Sequence, residues 1–101
     1  MTWHEACLAS DIPADAGHEV LVAQRIVAIF RCDDGFLAVD GMCAHQGGPI
    51  AQGEVNGKCV TCPWHGWQYD LSDGTNLLTK KKMLDCFPCE QRGESIWLDI
   101  S

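Results

Sequence analysis

The chain has 101 residues, 47% of them apolar, and 14 Asp or Glu against 7 Lys or Arg, for a formal net charge of −7. That size and apolar share predict one folded domain over residues 1–101 and exclude a disordered chain, while the acidic balance excludes nucleic acid, whose phosphates would be repelled. The longest apolar stretch, IVAIF, is too short for a bilayer, and the start MTWHEACLASDIP lacks the basic, then apolar pattern of a secretory signal, so a cytoplasmic location without membrane contact is expected.

Along the chain, TWHEACLA alternates loosely and SDIPADAGH follows as a loop. EVLVA and RIVAIFRC, rich in β-branched residues and parted only around Gln24, predict a hairpin. DDG, Asp33 to Gly35, predicts a second turn into FLAVD. The loop GMCAHQGGPI comes next, and then AQGEVNGKCVT, whose Asn56-Gly57 is the strongest short hairpin signal present. TCPWHGW forms a second loop, and WQYDL runs to a turn at SDG. TNLLTKKKML has some helical character but no cap, while DCFPCEQ and SIWLDI, joined by RGE, close the chain as strands. Eight to ten short strands at such spacing predict an all-β antiparallel sandwich or barrel.

Seven cysteines is a high, odd count, and without a secretion signal metal ligation is a better use for them than disulfides. Cys43 and His45 stand one residue apart in the first loop, and Cys62 and His65 repeat the pairing in the second. A hairpin at Asn56-Gly57 would bring the two loops side by side, so that two thiolates and two imidazoles converge at one tip. Gly47, Gly48 and Gly66 allow tight backbone there and let N–H groups face an anion.

This pattern, C-x-H and then C-x-x-H with CPWHGW, resembles the Rieske 2Fe–2S family, strongly at the loops (about 41–50 and 61–69) and loosely from ASDIPADAGHEV to GESIWLDI. The resemblance implies a Rieske-type antiparallel β-sandwich of short sheets with both cluster-binding loops at one tip. It also implies a 2Fe–2S cluster in which Cys43 and Cys62 hold one iron and His45 and His65 the other. Two thiolates neutralise the diiron–disulfide core where four would leave it doubly negative, so mixed ligation raises the potential into a range of roughly −150 to +300 mV. High-potential relatives add a cysteine in each loop, where this chain has Gly48 and Trp64, and a serine where it has Trp67. They also use a tyrosine, which Tyr69 matches. A potential in the lower half of the range is expected. Trp64 and Trp67 are expected to shield the cluster or brace its loop.

The remaining candidates read as structural. Cys86 and Cys89 in CFPC look like half a metal site, yet no second pair completes it, and residues three apart on one strand face opposite sides. Cys7, Cys32 and Cys59 read as core, His4 and His18 as surface. Lys80-Lys81-Lys82 is the only basic run. Similar Rieske proteins have a proline-containing loop near it, whereas this chain has no proline between Pro63 and Pro88, so what closes the third side of the cluster stays open.

The chain shows no nucleotide-binding fingerprint and no catalytic set, and it is too short for the catalytic domain of ring-hydroxylating oxygenases. The resemblance therefore implies a stand-alone ferredoxin, an electron carrier rather than an enzyme, with a flavin reductase and a terminal oxygenase as redox partners. Two alternatives stay open: the small Rieske-like subunit of an assimilatory nitrite reductase, and a structural zinc protein using the same four side chains.

Overall fold

The computed structural model describes residues 2–14, 16–32, 35–43, 48–64 and 66–100. Ten strands run in chain order: β1 (Trp3–Leu8), β2 (Gly17–Val22), β3 (Arg25–Cys32), β4 (Gly35–Asp40), β5 (Glu54–Asn56), β6 (Cys59–Thr61), β7 (Gln68–Asp70), β8 (Cys86–Phe87), β9 (Cys89–Arg92) and β10 (Ser95–Asp99). Two short 3₁₀ turns, Ala9–Asp11 and Ile50–Gln52, are the only helical pieces among the described residues. The all-β expectation holds, as does the strand number.

The strands form three antiparallel sheets, ordered β1-β10-β9, β2-β3-β4-β8 and β5-β6-β7. The middle sheet is covered on both faces, which is why RIVAIFRC is nearly continuous in apolar residues rather than alternating. Ala28 and Phe30 of β3, with Val39 of β4, face a core shared with Ile50, Val60, Tyr69, Leu71 and Leu84. Their neighbours Val27, Ile29 and Ala38 face the opposite way, into a core completed by Ile96 and Leu98 of β10. One strand thus serves two cores by its period of two. Cys43 and Cys62 belong to the first core.

The loose alternation of TWHEACLA has a structural cause. Glu5 pairs with Trp97 and Cys7 with Ile96, leaving Ala6 as an extra residue that shifts the facing pattern. The turn between β2 and β3 is Ala23-Gln24, both left-handed at φ 50° and 67°, where a two-residue hairpin prefers Asn and Gly. β3 and β4 pair up to Cys32 and Gly35; the predicted turn residues Asp33 and Asp34 lie outside the described residues.

Two expectations need correction. TNLLTKKKML is not helical. The Asn76 carbonyl accepts one turn-closing hydrogen bond from the Lys80 N–H, and the chain then turns through a left-handed Lys80 (φ 62°) back to a bridge between Thr75 and Lys82. DCFPCEQ is not one strand either. Pro88, which has no N–H to donate, divides it, so that Cys86 on β8 joins the middle sheet and Cys89 on β9 joins the outer one. The two thiols pack against different cores, Cys86 with Leu84 and Cys89 with Leu98, so CFPC forms no paired site. Cys7 and Cys32 are half-buried at core edges and Cys59 is half-buried outside both cores, while His4 and His18 are half-buried and belong to neither core.

Candidate metal centre

The first Cys/His loop leads from β4 of the middle sheet to β5 of the third, and the second joins β6 to β7 within the third. Val55 pairs with Val60 and Asn56 with Cys59, so the turn positions are Gly57-Lys58, one residue later than the Asn-Gly signal suggests, with Gly57 left-handed at φ 65°. This hairpin returns the chain so that β6 ends beside the first loop.

The two loops close in the same way. In the first, Gly41 accepts from the Ile50 N–H at 3.0 Å, Met42 bridges Pro49, and the Cys43 N–H donates to the Gly48 carbonyl at 2.7 Å. In the second, Thr61 pairs with Gln68 and the Cys62 N–H donates to the Trp67 carbonyl at 2.7 Å. Each cysteine thus starts a six-residue loop that is pinned across its base. The histidines named from the sequence, His45 and His65, and likewise Gly47, lie outside the described residues.

Cys43 and Cys62 are brought together and buried, with 3% and 1% of their surface exposed. Burial pushes the Cys62 thiol up, the Trp64 N–H pulls it down, and Cys43 beside it pushes it up again. Without a cation, the Cys62 sulfur therefore favours its proton; a metal ion would offset that cost by its own charge. Two polar groups already lie against the sulfurs. The Tyr69 hydroxyl, in a fully buried ring, lies 3.2 Å from Cys43 Sγ, and the Trp64 N–H lies 3.4 Å from Cys62 Sγ.

Gly48 is where a side chain would intrude. A Cβ there would stand 2.9 Å from Trp64 Cγ and 3.0 Å from Cys62 Sγ, so the first loop packs directly against Trp64 of the second. Neither Gly48 nor Trp64 can form a disulfide between the loops, and aromatic packing joins them there instead. Gly66, by contrast, has open space around it and is required for its φ of 75°.

The turn over residues 76–82 lies beside the second loop. The Leu77 N–H donates to the Gln68 carbonyl, Tyr69 bridges Asn76, and Met83 packs against the thiol-bearing core. A cleft of about 360 Å³ separates this turn from the second loop, lined by Gly66, Trp67 and Gln68 on one side and Asn76, Leu78 and Thr79 on the other. Trp67 is half-buried against the core, whereas Trp64 keeps 48% exposure. The turn carries no metal-ligand residue type and could not be inferred from spacing.

Two adjacent buried thiols, a hydroxyl and an N–H against them, and a glycine clearing the space beside one sulfur fit a thiolate-held metal cluster. The chain belongs to the Rieske [2Fe-2S] domain family, whose model matches residues 2–88. Its cofactor is accordingly a Rieske-type 2Fe–2S cluster rather than zinc, and the domain is an electron-transfer one. Among curated proteins it is 31% identical to methylxanthine N1-demethylase NdmA of Pseudomonas putida, over 97% of this chain and 32% of that protein. It spans a third or less of the curated relatives it matches first, such as the rice chlorophyllide a oxygenase, of which it covers 19%. Among solved structures, a ferredoxin of Sphingomonas yanoikuyae B1 superposes with a TM-score of 0.88 at 17% identity, covering 99% of this chain and 100% of that one. A putative NADH-dependent nitrite reductase small subunit of Mycobacterium tuberculosis gives 0.88 at 24% identity, with 99% and 96% covered. At these identities the likeness is one of fold. No helix among the described residues is long and apolar enough to cross a membrane.

Proposed function

We propose that residues 1–101 act as one Rieske domain that carries single electrons from a flavin reductase to a terminal oxygenase, with Cys43, His45, Cys62 and His65 as the ligands of the cluster. The observation that carries the ligand assignment is the pairing of two buried sulfurs at the start of two equally closed loops, each with its histidine two or three residues on. When bound, the cluster supplies a reversible one-electron centre at a potential tuned by its surroundings.

The chain's own groups have separate tasks. Cys43 and Cys62 give up their protons to become ligands, and their burial keeps water from the sulfurs. Tyr69 and Trp64 donate to sulfur and thereby favour the more negative, reduced state. His45 and His65 would coordinate through one ring nitrogen and leave the other for a partner or for proton exchange. The reading involves neither nucleic acid nor a membrane. Relatives named as oxygenases, such as the rice chlorophyllide a oxygenase, favour an oxygenase as the electron acceptor.

A second reading, the small subunit of a nitrite reductase, rests on a whole-length fold likeness equal to that of the ferredoxin. One experiment separates them. The purified holoprotein is reduced by NADH through a flavin reductase and offered to a Rieske-type terminal oxygenase with its substrate; turnover that depends on this chain supports the carrier reading. Stable co-purification with a nitrite reductase large subunit, without oxygenase turnover, would overturn it. His45→Ala and His65→Ala each abolish the visible spectrum if the ligand set is correct, and an unchanged spectrum rejects it.

A further inference from the structure

Charge is unevenly placed around the tip. Residues 41–53 and 59–69, which hold all four proposed ligands, contain no Asp, Glu, Lys or Arg. The turn that walls their cleft contains three of the seven Lys and Arg residues, Lys80, Lys81 and Lys82, all exposed. The arginines are engaged elsewhere: Arg25 with Asp40 and Asp85, Arg31 with the Ala9 and Ile12 carbonyls, and Arg92 with Glu90 between two tryptophans. Among the described residues no ion pair involves Lys80, Lys81 or Lys82. The nearest acid in sequence, Asp85, pairs with Arg25; before the turn, Asp70 and Asp73 turn their carboxylates to the N–H groups of Ser72 and Thr75, with Lys82 helping to hold Asp73 below its ordinary pKa.

The turn is also held rigidly. Asn76 is 2% exposed and its Oδ1 accepts from the Leu78 and Thr79 N–H groups at 2.9 and 3.0 Å. The Thr79 hydroxyl caps the Lys81 N–H and reaches Met83 Sδ, which packs on the thiol-bearing core. Lys80 adopts a left-handed φ of 62°, a cost that a freely solvated loop has no reason to carry. The apex, Leu78, is 87% exposed, more than any other large apolar side chain among the described residues.

Resting on the carrier reading, we propose that Leu78 to Lys82 form a docking lip beside the cluster, which receives a redox protein presenting carboxylates around an apolar centre. The protein as a whole repels such a surface with its charge of −7, so the lip must act locally. Screening makes this possible: the Debye length is about 10 Å at 0.1 M salt, shorter than the 36 × 26 × 19 Å dimensions of the molecule. Approach at the lip is then attractive while approach elsewhere is not, which orients the encounter toward the proposed ligand loops.

The test uses two inorganic oxidants of opposite charge, hexacyanoferrate(III) and tris(phenanthroline)cobalt(III), each taking one electron from the reduced holoprotein in a stopped-flow instrument. Between about 0.01 and 1 M salt the Debye length falls from roughly 30 to 3 Å. The lip predicts that oxidation by the anion slows at least about threefold over this range, against the sign set by net charge. A triple variant, Lys80→Glu, Lys81→Glu and Lys82→Glu, then reverses the slope for the anion and steepens the fall for the cation, with the visible spectrum and midpoint potential unchanged. Acceleration of the anion reaction by salt in the parent protein, or equal slopes in parent and variant, would overturn the lip. A holoprotein that cannot be reversibly reduced would reject the carrier reading itself, and the lip with it.

Discussion

Replacing Gly48 with alanine tests the packing that joins the two loops. The added Cβ would stand 2.9 Å from Trp64 Cγ, 3.0 Å from Cys62 Sγ and 3.1 Å from Trp64 Cβ, against an optimum of about 3.5–4.0 Å for such contacts. Trp64 can yield because it is half-exposed, but Cys62, at 1% exposure, has nowhere to go. Over-packing of this kind costs about 1–3 kcal/mol. The restricted unfolded chain returns roughly 0.4–1 kcal/mol, since Gly48 does not need a left-handed backbone. A net loss of about 1–2 kcal/mol remains, or roughly 4–15 °C in Tm for a domain of this size. The displacement also falls on the second sulfur, so iron per chain should drop with stability. Iron analysis and thermal unfolding of purified Gly48→Ala measure both. Gly57→Ala is the control: its Cβ meets nothing, its left-handed φ costs about 1 kcal/mol, and iron content should hold. A Gly48→Ala protein as iron-replete and as stable as the parent would refute the packing argument.

Tyr69→Phe removes the hydroxyl donor from Cys43 Sγ; a differential bond of about 1 kcal/mol between redox states lowers the midpoint by roughly 40 mV, and an unchanged spectroelectrochemical midpoint contradicts that role. Ala23→Asn with Gln24→Gly suits the left-handed turn and should raise stability by about 1 kcal/mol in urea unfolding, whereas a loss would mean the turn is not as described. Burial first, and Cys7 second, push the Cys89 thiol up to about 12 from an ordinary value of 9.0. A raised pKa means the folded protein holds its proton longer than the unfolded chain, so stability is intact below about pH 9 and declines as pH rises toward 12. Unfolding of the parent and Cys89→Val across that window should show a shallower decline in the variant; identical slopes would remove Cys89 as the cause.

The sequence was most legible where chemistry demands particular residue types at short spacing. Cys43 and Cys62 are buried side by side with Tyr69 against Cys43, and the apolar runs marked the strands of the middle sheet. Local signals failed where tertiary pairing decided the outcome. The Asn56-Gly57 signal gave the right hairpin one residue early, because pairing of Val55 with Val60 sets the register. Pro88 split what read as a single strand by sending its two halves to different sheets. The turn over 76–82 was the least readable element: its stability comes from the buried Asn76 side chain and contacts to Gln68 and Tyr69, none of which has a periodic signature.

Iron, acid-labile sulfide and EPR on one preparation of the intact protein test the ligand assignment most directly. Parent protein should contain two irons and two sulfides per chain, as the family's cluster requires, and give a rhombic signal after one-electron reduction. Cys43→Ser, His45→Ala, Cys62→Ser and His65→Ala should each lose that signal while Cys86→Ser and Cys89→Ser keep it. Zinc in place of iron, or a full signal surviving any of the first four substitutions, would contradict the site.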